Sequence, residues 1–210
     1  MSWKAWFGPK RIAIASLVAG VAIAVVILFY DIHDEILLKD VRLSSMLWAL
    51  RLTVRLSVFF FVIAFAARPL NDLFHSGWSR WLRKHRRYFG LACAALLLQH
   101  LWLLPAIYLQ DHRPLEFMMK KGNFFPALAS LSLATLLTLT SFDWAQRKLP
   151  GWPMLHWFGI QAMWFWYAKA TYSEYLIRKS TIYMVMLALL LGAMAARIAA
   201  RVKETVAPGR

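Results

Sequence analysis

Cysteine is nearly absent: Cys93 is the one thiol in 210 residues, and it lies inside an apolar stretch. A lone thiol excludes an intrachain disulfide and any Cys-based metal or iron–sulfur centre. Also missing are a G-x-G-x-x-G turn after a strand-like run and a P-loop, so the chain has no nucleotide-binding module of its own. Charge is scarce at 17% of residues, and acids are the scarcer sign, 10 against 25 Lys and Arg, for a formal net charge of +15. A nucleic-acid surface would need those basic residues spread over a soluble fold, whereas here they cluster at the ends of apolar runs. Nucleic acid is therefore set aside as a partner. There is no internal repeat and no low-complexity tract.

What is abundant is apolar: 60% of residues are hydrophobic and 15% aromatic, well above a soluble domain. The expected class is an all-α integral membrane protein. Six runs are long enough to span hydrocarbon, at about 12–30, 46–67, 88–109, 124–142, 153–172 and 177–200. In a medium without water such runs must be helices, because every backbone polar group needs an internal partner. The first run follows Lys4, Lys10 and Arg11 and is longer than a signal-peptide core, so it reads as a retained helix. The expectation is one transmembrane domain over residues 1–210, a six-helix bundle with short links and no separate soluble domain. Two faces of small residues, Ser16/Gly20/Ala24 and Gly192/Ala196/Ala200, suit close helix approach.

Basic residues fall in the N-terminus, the segment 68–87, Arg147 with Lys148, and the tail. Most acids, including Asp31, Asp34, Glu35, Asp40, Asp111, Glu116 and Glu174, fall in the alternate segments. By the positive-inside rule both termini and the expected loop 68–87 are cytoplasmic. That loop reads first as a topology signal in contact with anionic lipid, and second as a docking face.

Ionisable groups at membrane depth are few, and each is a functional candidate. His100 lies roughly 18 Å into the third run and His156 roughly 5 Å into the fifth, at 1.5 Å per residue. At such different depths they do not serve as the two axial ligands of one haem. Lys169 lies about 20 Å beyond His156 on the same helix, where a lysine commonly reaches for the far headgroups. Arg51 and Arg55, four apart, share a helix face and either snorkel or meet an anionic group.

Three stretches together resemble a known family. RRYFGLACAALLLQH (86–100), TLLTLTSFDWAQRKLPGWPMLHW (135–157) and AFAARPL (64–70) are similar, in order and spacing, to the ferric reductase-like transmembrane domains. The likeness covers about residues 45–175 and is nearest to the small bacterial haem-binding subunits of the periplasmic methionine-sulfoxide reductase system. It implies a multi-pass bacterial inner-membrane protein of the b-type cytochrome kind, with two haems between the third and fifth helices. Such a subunit passes electrons from quinol, or from a flavin-bearing protein partner, to a periplasmic-side acceptor. By the same likeness His100 and His156 match haem-iron ligands, Lys169 stands where an outer ligand is expected, and Arg86 stands near an inner one. His85 is the substitute for that inner ligand if the third helix starts early; otherwise it is a solvated loop residue. A neutral lysine amine has a lone pair for iron, and burial favours the neutral form. The incomplete ligand set keeps two other readings open. One is a haem-free relative acting as a membrane scaffold or assembly protein. The other is a small transporter using His100 and Lys169, which even, uninterrupted helices disfavour.

Overall fold

The computed structural model describes residues 39–110 and 124–206, and every regular element there is a helix. In chain order these are α1 (Lys39–Phe74), α2 (Gly77–Leu98), α3 (His100–Gln110), α4 (Phe124–Leu139), α5 (Asp143–Lys148), α6 (Trp152–Arg178) and α7 (Thr181–Val206). The expected helix at 12–30 and both chain ends lie outside the described residues. Three helical stretches are long and apolar enough to cross a membrane: Ala49–Phe74, Gly77–Leu109 and Thr181–Val206. α4 is shorter, and α6 has the length but carries Trp, Tyr, Gln and Lys residues that lower its hydropathy.

The helices run past the apolar segments that announced them. The segment 68–87, expected as a loop, is almost entirely helical, because α1 continues to Phe74 and α2 starts at Gly77. Only His75 and Ser76 lie between. His75 takes the left-handed conformation, φ 47°, and its N–H donates to the Asn71 carbonyl at 3.0 Å, which closes α1. Ser76 Oγ accepts the Ser79 N–H at 3.1 Å, which opens α2 as an N-cap. Polar side chains mark where apolar burial ends, and the backbone ladder stops only at these caps. The fifth and sixth runs shift for the same reason. α6 continues to Arg178 and ends where Lys179, φ 48°, donates its N–H to the Tyr175 carbonyl at 2.7 Å.

The third expected helix has a one-residue irregularity at Gln99, just before His100, with helical bonds on either side of it: the Gln99 N–H donates to the Ala95 carbonyl at 3.3 Å and the Leu103 N–H to the Gln99 carbonyl at 3.0 Å. Pro105, inside α3, removes a ladder bond, to the Leu101 carbonyl.

The chain divides into two compact units, residues 1–57 with 91–138 and residues 58–90 with 139–210. In the first, Met46, Ala49, Thr53 and Ser57 form one buried stripe of α1. The Thr53 and Ser57 hydroxyls donate to the Leu50 and Val54 carbonyls at 2.9 and 2.7 Å, which satisfies them inside the apolar stripe. In the second unit, Ala67, Leu82 and Phe89 form a core flanked by Phe60, Ile63, Ala64 and Leu70, so the lower part of α1 packs on the start of α2. α6 and α7 pack on each other, and the Trp164 indole N–H donates to the Leu190 carbonyl at 2.9 Å. The buried face of α7 is Tyr183, Met186, Leu190, Ala193 and Ala200. Gly192, expected on a close-approach face with Ala196 and Ala200, is exposed, with open space where a Cβ would stand.

Two glycines therefore behave oppositely when substituted. Gly151 has φ 73° and open space around it, so Gly151→Ala is strained by conformation and not by contact. A left-handed alanine costs about 1 kcal/mol, so this variant lowers the thermal midpoint in detergent. Gly192→Ala, in a regular helix, leaves the midpoint unchanged or raises it.

Candidate functional site

His156 is positioned by a short, fully local device. After α4, the segment Asp143–Lys148 forms α5, not the loop that its composition suggests. Leu149–Pro150–Gly151–Trp152 then reverses the chain as a type II turn, with Pro150 second, Gly151 third at φ 73°, ψ 9°, and the Trp152 N–H donating to the Leu149 carbonyl at 3.2 Å. Pro153 follows in the first turn of α6, where its missing N–H costs nothing. The Trp152 indole N–H donates to the Thr140 carbonyl at 2.6 Å. Its ring stacks on the His156 imidazole, with centroids 4.8 Å apart and planes 20° apart. His156 is half-buried, and its Nδ1 is buried without a hydrogen-bond partner among the described residues.

In the same unit α2 carries His85 and Arg86. The early helix start places His85 within α2, half-buried, and not in a solvated loop. Its Nδ1–H donates to the Trp81 carbonyl at 2.8 Å, and the ring lies 4.9 Å from the Trp81 ring and 6.3 Å from Tyr88. A carbonyl only accepts, so Nδ1 holds the proton and a neutral ring keeps its lone pair on Nε2. That tautomer is the one that suits metal ligation. Arg86 is exposed at the surface, and its charge is felt at the His156 ring. His85, Arg86 and His156 thus all lie in the second unit, but among the described residues no contact joins His85, which packs on Trp81 and Tyr88, to His156, which packs on Trp152.

The remaining candidates stand elsewhere. Lys169 is also in the second unit; it is exposed, with Nζ 5.2 Å from the centre of the Trp166 ring. The amine is thus engaged with the Trp166 face and not held toward a metal position. His100 opens α3 and belongs to the first unit, as do Arg51, which is exposed, and Arg55, which is half-buried. Among the described residues no three His, Cys, Asp or Glu side chains gather as a metal site.

Sequence reading singled out Arg86 but missed the basic neighbours that surround it. Arg197 on α7 lies over the Phe65 ring at 4.5 Å, and Arg201 lies over the Trp157 ring at 5.8 Å. Arg68 and Arg83 share the Asp72 carboxylate at 3.5 and 3.3 Å. The Lys203 ammonium donates to the Asp72 and Leu73 carbonyls at 3.1 and 3.2 Å, which ties the end of α7 to the end of α1. The only advance signal was spacing: Arg197 and Arg201 are four apart on one helix face, as are Arg68 and Asp72.

No family model, no curated protein and no solved structure matches the chain.

The support beneath His156 is testable. Trp152→Phe keeps a ring against the imidazole but loses the indole donor to Thr140, so unfolding in detergent is expected to be easier by about 1 kcal/mol. Trp144→Phe, at an exposed position of α5, serves as the matched comparison and leaves the midpoint unchanged.

Proposed function

We propose that this chain is a haem b-binding subunit of a membrane oxidoreductase, passing electrons across a bacterial inner membrane to an acceptor on the outer side. The observation that carries the proposal is His156, half-buried with an unpartnered Nδ1, in the same unit as His85. The His85 imidazole has its Nδ1 proton committed to a carbonyl, and the His156 imidazole is half-buried against Trp152 in the field of Arg86. These residues suit an inner bis-histidine site. Haem, when bound, supplies a one-electron couple; the chain's own part is to orient the two rings and to set the field around them. Arg86 placed beside the site favours the more negative, reduced state and so raises the potential. With no nucleotide-binding motif, the chain takes its electrons from quinol or from a flavin-bearing protein on the basic side. An outer haem at His100 and Lys169 has less support, given the ammonium over Trp166. That same feature favours a second reading, in which the fold persists as a haem-free scaffold.

Purified full-length chain decides between the two. A Soret band that sharpens on reduction is expected, and it should fall to half or less in His156→Ala and in His85→Ala while both variants still insert. A colourless protein, or two variants with unchanged haem content, turns the assignment to the scaffold. Lys169→His is expected to raise haem occupancy only if an outer site exists, and the gain should vanish when His100→Ala is added.

Orientation is tested separately. With basic residues in 68–87, in α5 and at the end of α7, a reporter fused after Arg210 is expected to be active in the cytoplasm. Activity confined to the periplasm would invert the donor and acceptor sides.

A further inference from the structure

We propose that α5 and the turn after it form a membrane-surface anchor, in which Trp144 enters the headgroup layer and Arg147 and Lys148 hold the phosphate groups of anionic phospholipids. α5 is held in place from its inner side. It packs on α6, and Ala145 is 1% exposed. The Gln146 amide donates to the Ser141 carbonyl at 3.2 Å, and beyond the turn the Trp152 indole donates to the Thr140 carbonyl. Trp144 precedes Arg147 and Lys148 by three and four residues, so the three share one side of the helix. All three are exposed, Trp144 by 64%. Next to α5 the Arg87 guanidinium of α2 lies 5.9 Å from the centre of the exposed Phe142 ring. Between Leu139 and Phe158 the sequence holds a single acid, Asp143, so the balance of charge there is basic.

α6 identifies what covers this face. Its residues Met154, Phe158, Phe165 and Tyr172 are all exposed, and at 3.6 residues per turn they lie within about 40° of one another. They form an apolar stripe about 27 Å long at 1.5 Å per residue, close to the roughly 30 Å of bilayer hydrocarbon. An acidic protein docked on Arg147 and Lys148 would leave that stripe uncovered. A bilayer covers both parts. Hydrocarbon takes the stripe, and α5, which precedes the first residue of the stripe, falls at the headgroup level, where tryptophan and cations are favoured. Each cation near an anionic surface is worth about fivefold in partition, so Arg147 and Lys148 select anionic over zwitterionic headgroups. The anchor rests neither on haem nor on which side of the membrane α5 occupies.

The test uses the purified full-length chain in bilayers of mixed phosphatidylcholine and phosphatidylglycerol. In a Cys93→Ala background, a nitroxide is attached in turn through Trp144→Cys, Phe165→Cys and Thr205→Cys, and its accessibility to oxygen and to a nickel chelate gives its depth. The label replacing Phe165 is expected deep in hydrocarbon, the label replacing Thr205 in water, and the label replacing Trp144 at the level of the phosphates. A label replacing Trp144 that is as open to water as the one replacing Thr205 overturns the anchor and leaves the face to an acidic protein. Lipid preference is read separately, with the native tryptophan in place, from the motionally restricted fraction of spin-labelled phosphatidylglycerol against that of spin-labelled phosphatidylcholine. Arg147→Gln with Lys148→Gln should cut that preference to about half or less. Arg178→Gln with Lys179→Gln, the same loss of charge at the other end of α6, should cut it less. Equal loss in the two pairs, or no preference in the unsubstituted chain, overturns the assignment of α5 to anionic headgroups in favour of diffuse surface charge.

Discussion

In an apolar surrounding a backbone group that finds no partner costs several kcal/mol, of the order expected for an unpaired amide. That constraint explains most of what this chain does. It makes every described element a helix, and it explains where the helices bend the rule. Thr53 and Ser57 turn their hydroxyls back onto their own helix. Two tryptophan indoles, Trp152 and Trp164, spend their N–H groups on backbone carbonyls of neighbouring elements, Thr140 and Leu190. Tertiary structure is thus stitched by donors that would otherwise be stranded.

Charge obeys a different rule from apolarity. The arginines of the second unit stay at its polar end, but they are arranged: two lie over aromatic faces, two share one acid, and a lysine closes the ends of α1 and α7 together. Asp72 carries an unusual share of this arrangement. Its carboxylate holds α1 to α2 and its carbonyl holds α1 to α7, so one acidic position links three helices. Of the two histidines of the proposed haem site, His156 lies in the field of Arg86, and its neighbour Trp157 lies under Arg201.

The apolar runs of the sequence located five helical regions, since twenty apolar residues have no other economical conformation in lipid. Their ends were not legible, because hydropathy reports the side chains while the ladder stops at caps such as His75, Ser76 and Lys179. The short helix Asp143–Lys148 escaped notice as a basic, polar stretch. The slight irregularity at Gln99 carries no composition signal of its own; only Pro105, further along, hinted at an irregular helix. For the site, His156 and His85 were visible as ionisable residues near apolar runs. The seating of Arg197 over Phe65 was not, since it depends on which face of α7 packs inward, and Gly192 suggested the wrong one.

α6 has both ends fixed, by left-handed Gly151 at the start and left-handed Lys179 at the finish, over 27 residues. At 1.5 Å per residue that is a rod of about 40 Å, against roughly 30 Å of hydrocarbon and some 40–45 Å with headgroups. Set upright across a bilayer, such a rod reaches from one headgroup layer to the other. A thinner membrane forces it to lean, and its caps do not let it shorten. His156 in its second turn and Lys169 further along would then change their levels relative to the lipid together, since one rigid rod carries both.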